Sequence, residues 1–374
     1  MKFKADRATL IKALAHIQSV AEKRNTIPIL ANAKIEAVDG KLMFTATDME
    51  IAVVEDIEAS VSRPGSTTAP AATLYEIVRK LPDSAELEFE TTGEAGQLKL
   101  RAGRYSTSLV TLPVEDFPSM TAGQLPYRFR IGSLALRGLI DRTRFAISTE
   151  ETRYYLNGIY FHCAEGAIGR VLRAVATDGH RLARVEEPAP EGADGMPGVI
   201  IPRKTVAELR KLLDEDSAEI EIGLSDTRIQ FKSGSVTLTS KLIDGTFPEY
   251  ERVIPRDNDK IMRVGKKDFA DAVARVAAIS SERSRPVKMS LATDLLTLSA
   301  ASPEQGTASE ELDADRVKYS SEPLEIGFQA RYLNDITDQI ENSVEFHFSD
   351  GAAPTIVRDA DNSNALYVLM PMRV

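Results

Sequence analysis

The chain has 374 residues, 43% of them hydrophobic and 27% charged, which is the balance of an ordinary soluble protein and not of a disordered or fibrous one. No apolar run approaches the roughly 18 residues of a membrane span. The N-terminus Met1-Lys-Phe-Lys has no apolar signal core, and a lone Cys163 excludes an intrachain disulfide. The net charge of −10 argues against a uniformly basic nucleic-acid binder, and these features together predict a cytoplasmic protein.

In chain order, one plan recurs three times. Phe3 to Leu10, Phe129 to Leu136 and Met262 to Phe269 each read as a short strand, a turn and a helix start. The copies lie about 130 residues apart, the length of one small domain. The helix that follows carries an apolar stripe at one spacing throughout: Leu10, Leu14, Ile17, Val20; Leu136, Ile140, Thr143, Ala146; Phe269, Val273, Val276, Ile279. Ala8, Ala15, Ala270, Ala274 and Ala277 are expected on its other faces.

A strand pair comes next in every copy. Residues 34–38 and 41–45 flank Asp39-Gly40, a tight hairpin signal. The counterparts are 158–162 with 171–175 and 287–291 with 295–298. Thr47-Asp48 and Thr177-Asp178 then open similar turns, while Ser302 to Gly306 stands at that place in the third copy. A second helix is predicted after Pro70, after Pro202 and from Phe328 to Thr337. Residues 186–198 read as a surface loop, and the polar stretches 121–126 and 255–260 read as linkers. The fold class is α+β, each repeat mostly antiparallel sheet with two helices.

Charge is unevenly spread. Lys2, Lys4, Arg7, Lys12, Lys23, Arg24, Arg137, Arg142 and Arg144 accompany the first helices. Glu86, Glu88, Glu90, Glu94, Glu186, Glu187, Glu191, Glu310, Glu311, Asp313 and Asp315 gather in strands and loops. Catalytic patterns are missing. His16, His162, His180 and His347 have no second ligand at metal spacing, no glycine-rich phosphate loop is present, and no serine sits in a nucleophile elbow. The expectation is no enzyme, no metal and no cofactor.

Thr26-Ile-Pro-Ile-Leu30, Arg153-Tyr-Tyr-Leu-Asn-Gly158, Ala176-Thr-Asp-Gly-His-Arg-Leu-Ala183, Ile201-Pro-Arg-Lys204, Ser240-Lys-Leu-Ile-Asp-Gly245 with Phe247-Pro248, and Met370-Pro-Met-Arg373 lie in order along the whole chain. With the triple repeat, the chain resembles the bacterial sliding-clamp family, the β subunits of DNA polymerase III. The resemblance implies three clamp domains, 1–122, 123–255 and 256–374, closing by a head-to-tail homodimer into a six-domain ring around duplex DNA. Basic helices inside and acidic sheets outside would then attract phosphates without reading sequence.

Carried over residue by residue, DNA contacts fall at Arg24, Arg153, Tyr154 and Tyr155. Glu150 stands where the family can carry an amide. A pocket for short peptide tails of polymerases, the clamp loader and repair proteins falls on Leu156, Thr177, Gly179, His180, Arg181, Leu182, Pro248, Arg252, Val253, Val368, Met370, Pro371, Met372 and Arg373. The dimer seam falls on Ile77, Leu81, Arg104, Thr107 and Leu109 against Ala278, Ile279 and the segment from Glu304 to Glu311. Gly306 to Ser309 dilute that acidic run. A nucleic-acid enzyme using the basic helices is the rival reading, and a duplicated clamp without a replication role is a third.

Overall fold

A computed structural model describes residues 1–22, 26–92, 96–167, 169–213, 219–279 and 286–373. Six α-helices are described: α1 (Arg7–Val20), α2 (Ala71–Lys80), α3 (Ser133–Asp141), α4 (Arg203–Leu212), α5 (Lys266–Ala277) and α6 (Ala330–Thr337). Each begins at the residue after a strand ends, so no turn separates strand from helix. At α1 the junction is capped. Asp6 ends the strand and its carboxylate accepts the Thr9 amide at 2.9 Å, which satisfies one of the helix's free donors.

The chain packs as two compact units. The first comprises Met1–Arg137, Pro190–Pro197 and Lys204–Leu242. It holds a five-stranded sheet, in the order 60–63, 2–6, 86–92, 97–102, 105–110, and an eight-stranded sheet. The order in the latter is 127–132, 219–224, 228–233, 236–241, 51–58, 41–47, 32–38, 65–70. The second unit comprises Gly138–Ala189, Gly198–Arg203 and Ile243–Val374. Its nine-stranded sheet runs 199–202, 158–166, 169–177, 181–188, 365–369, 355–359, 343–348, 260–265, 317–319, and its four-stranded sheet runs 306–312, 295–302, 286–292, 324–329.

Three sequence repeats thus make two packing units because backbone ladders join neighbouring repeats. Val236–Lys241 pairs antiparallel with Ile51–Glu58, Ser240 opposite Ile51. Arg181–Pro188 pairs antiparallel with Ala365–Leu369, Arg181 opposite Leu369.

The apolar stripe predicted for α1 is buried throughout, at Leu10, Leu14, Ile17 and Val20. Phe269, Val273 and Val276 are buried likewise, but Ile279 lies beyond the end of α5, and Ala277 is buried instead of facing outward. In the middle repeat the stripe outruns the helix. Thr143 and Ala146 are buried after α3 has ended at Asp141, and the Thr143 hydroxyl donates to the Leu139 carbonyl at 2.6 Å. The hairpin at Asp39-Gly40 forms with φ of 50° and 78°, the paired left-handed values of a type I′ turn. The expected loop from Glu186 starts later, since the strand continues to Pro188 with Glu186 accepting from Arg173 at 2.7 Å. Phe328 and Gln329 end a strand, and α6 starts at Ala330.

Candidate functional site

The site is built on a turn. Between the strands 169–177 and 181–188, Thr177 donates its hydroxyl to the Arg181 carbonyl at 2.7 Å and accepts the Gly179 amide at 3.1 Å. One Asp178 oxygen accepts the amides of His180 and Arg181 at 2.9 and 3.1 Å. These bonds hold Gly179 at φ +88°, a region where a side chain is strained, and a Cβ there would lie 2.6 Å from Nη1 of Arg153. Thr47-Asp48 makes the same turn in the first unit, with Met49 at φ 74°.

Beside the Thr177 turn lies a groove of about 330 Å³. Leu156, Leu182, Tyr250 and Val368 form a buried floor with Phe247 and Leu366. Pro248, Val253 and Met370 stand around it, and Val253 and Met370 are 53% and 42% exposed. An apolar floor with two exposed apolar side chains at its rim suits an apolar segment of a partner. Met370 is placed by its amide, which donates to the His180 carbonyl at 2.9 Å.

The structure brings Leu156, Thr177, Gly179, Arg181, Leu182, Pro248, Val253, Val368 and Met370 into this one groove. His180 is displaced to its side, stacked on Tyr332 with centroids 6.1 Å apart. Arg252 lines a neighbouring cleft of about 410 Å³ with Tyr160, His162 and Phe247. Pro371, Met372 and Arg373 line a different cavity, because the Met372 amide donates to the Gly327 carbonyl at 2.9 Å and carries the tail along the strand 324–329.

Arg181 is wholly engaged in structure. It is paired with Asp178 and Asp335, donates to the Phe145 carbonyl at 2.6 Å, and lies between the rings of Phe145 and Tyr332. Tyr250 and Glu249 belong to the groove and were not anticipated; the aromatic two residues after Pro248 was the available signal.

Of the residues matched to DNA contact, Arg24 lies outside the described residues. Arg153 and Tyr155 line the groove, and Tyr154 is 53% exposed beside Tyr155. Arg153 donates twice to Glu150, at 2.8 and 2.6 Å, and once to the Asp178 carbonyl at 3.0 Å. That bond holds the Glu150 carboxyl below its ordinary range. Other cations are paired too. Lys2 and Lys4 lie on a strand, not a helix, and meet Glu88 and Glu86 across the ladder, both at 2.8 Å. Arg7 meets Asp83 and Arg275 meets Glu310, both at 2.5 Å. The basic-helix pattern is therefore weaker in space than along the sequence.

Of the residues matched to a dimer seam, Arg104, Thr107 and Leu109 sit on or beside the edge strand 105–110, and Ile77 and Leu81 on or just after α2. Leu109 is turned into the core and Arg104 is exposed. In the second unit Ala278 and Ile279 follow α5, and Gly306–Leu312 is likewise an edge strand. Among the described residues no cluster of metal-ligating side chains occurs, and no helix is long and apolar enough to cross a membrane.

Comparison with known proteins places this geometry. Family models of the DNA polymerase III beta subunit match in order: the N-terminal domain over residues 1–121, the central domain over 130–249 and the C-terminal domain over 251–373. A beta sliding clamp of Caulobacter vibrioides is 50% identical over the full length of both chains. A solved beta sliding clamp of C. crescentus with polyethylene glycol bound superposes with a TM-score of 0.97 at 50% identity, covering 100% of this chain and 99% of that one. A sliding clamp from Bartonella birtlesii bound to griselimycin gives 0.96 at 47% identity, with both chains fully covered. With three domain models matched end to end and a full-length relative at half identity, the chain belongs to the DNA polymerase III beta subunit family, the beta sliding clamps.

Proposed function

We propose that the chain acts as a non-catalytic, cytoplasmic homodimer whose domains, 1–122, 123–255 and 256–374, form a closed ring around duplex DNA. The ring tethers the replicative polymerase, the clamp loader and repair polymerases through short peptide segments. The observation that carries this reading is the groove beside Thr177, apolar in its floor and exposed at Val253 and Met370. Its floor and rim are apolar, and what they suit is an apolar peptide. Edge strands 105–110 and 306–312, one in each unit, support a head-to-tail seam, since among the described residues each pairs with a neighbour on one side alone.

DNA contact is assigned to Arg24 and Arg153 with the Tyr154–Tyr155 pair. Because Glu150 offsets Arg153, contact with phosphate is weak and strongly salt-dependent, and retention on DNA rests on ring closure. The test is twofold. Mass in solution should be twice that of the chain, and a fluorescent peptide with a Gln-Leu-x-Leu-Phe core should bind saturably. A monomer at micromolar concentration, or no binding, would overturn the proposal.

A further inference from the structure

Tyr250 is part of the groove's floor, and its hydroxyl is held from behind. Nη1 of Arg173 donates to it at 3.1 Å, and Nε2 of His162 stands 3.1 Å away. The His162 tautomer follows from its other nitrogen. Nδ1 faces the Cys163 carbonyl at 3.1 Å, and a carbonyl only accepts, so Nδ1 carries the proton. Nε2 is then bare and accepts from the Tyr250 hydroxyl. The hydroxyl thus donates once, to His162, and accepts once, from Arg173.

Both partners are fixed in turn. Arg173 is buried, donating to Glu186 at 2.7 Å, to Glu251 at 2.6 Å and to the Glu165 carbonyl at 3.1 Å. The His162 ring stacks on Tyr160 at 4.5 Å, and Tyr160 stacks on Phe247 at 4.9 Å. Of these residues Tyr250 lines the groove, and Phe247 lies with it in the buried cluster beneath.

We propose that His162 and Arg173 are positioning residues of the groove: they orient Tyr250 through its hydroxyl and so set the width available to a bound peptide. The inference rests on the peptide-binding reading above. It has a pH consequence. Protonated His162 turns an N–H toward a hydroxyl that already accepts from Arg173, and places a cation beside that guanidinium. The charged groups facing the ring are Arg173 from the strand 169–177, Glu186 from the strand 181–188 and Glu251 from the 250–253 turn. Burial and Arg173 keep His162 below the ordinary imidazole range, so the neutral relay is intact at neutral pH and opens as the pH falls through that lowered value.

The test is peptide affinity by fluorescence anisotropy for the parent protein, H162F, Y250F and H162F/Y250F, from pH 7.5 down to the lowest pH at which circular dichroism shows both parent and variants folded. H162F removes one hydrogen bond and is expected to weaken binding about three- to tenfold; Y250F removes that bond and the one from Arg173 and is expected to weaken it at least as much, and the double change no more than Y250F alone. The parent's affinity falls toward that of H162F as the pH drops, while H162F stays flat. Additive losses, or parallel pH profiles for parent and H162F, would overturn the positioning role. The pH profile of the parent needs no variant to fold. A parent protein that binds no peptide at pH 7.5 would overturn both this inference and the reading beneath it.

Discussion

Replacing Met370 by alanine tests the groove at its rim. The side chain is already partly buried in the free protein, with 42% left exposed. Full burial of a methionine side chain stabilises by about 1.5–3 kcal/mol, so covering the remaining fraction with a peptide contributes about 0.6–1.3 kcal/mol. Met370→Ala should therefore weaken peptide binding roughly three- to ninefold. Val253, at 53% exposed but with the smaller side chain, should lose no more than Met370 on Val253→Ala. Met372→Ala is the control. That residue lines the cavity along Gly327, so its loss should leave affinity within about twofold. Anisotropy titration of the labelled peptide against the three variants gives the ranking directly. Met372→Ala costing as much as Met370→Ala would refute the reasoning, because the tail's path away from the groove would then be irrelevant to binding.

Three further outcomes are expected. Gly179→Ala introduces a side chain at φ +88° and against Arg153, and should lower stability by roughly 1–2 kcal/mol, read from the urea midpoint, and reduce peptide affinity with it. Asp6→Ala removes the α1 cap and should destabilise by roughly 0.5–2 kcal/mol at neutral pH. The Thr9 amide holds the Asp6 carboxyl below its ordinary value, so the cap contributes above the unfolded aspartate range and its contribution disappears as pH falls through the folded value; parent and variant should converge in acid unfolding titrations. Glu150→Gln frees the Arg153 guanidinium and should tighten DNA binding a few-fold at low salt and not at high salt, by filter binding.

Much of this was legible in the residues. The three-fold recurrence of strand and helix, the Asp39-Gly40 hairpin and the Thr-Asp turns follow from local chemistry, and local chemistry is what a sequence displays. The groove floor was legible only through the family motifs, since Leu156, Leu182 and Val368 look like any buried strand residue. Side-chain pairing was not legible at all. Arg153 looked like a free cation, yet Glu150 three residues earlier captures it. Lys2 and Lys4 read as part of a basic segment leading into the first helix, yet strand register puts each opposite a glutamate. The tail misled in a similar way. Met370 and Met372 are alternate residues of one motif, but a single backbone bond to Gly327 sends the second elsewhere.

The turn at Thr47 shows why motif alone does not define a site. It repeats the hydrogen bonds of the Thr177 turn, but Lys204 pairs with Asp48 and Lys241 meets Glu50 at 2.9 Å. At the first turn the Lys241 amide donates to the Glu50 carbonyl; at the second the equivalent bond, to the His180 carbonyl, comes from Met370, whose side chain is apolar and partly exposed. Ion pairs occupy the one place and an apolar rim frames the other, so the proposed peptide site falls at the second.

The most direct measurement is retention on DNA as a function of topology. The protein is loaded on a nicked circular plasmid by a clamp loader, separated from free protein by gel filtration, and the plasmid is then linearised. A ring held by closure stays with the circle through the column, at salt that abolishes ordinary phosphate binding, and leaves once the circle is cut. Equal retention on circular and linear DNA would contradict the account.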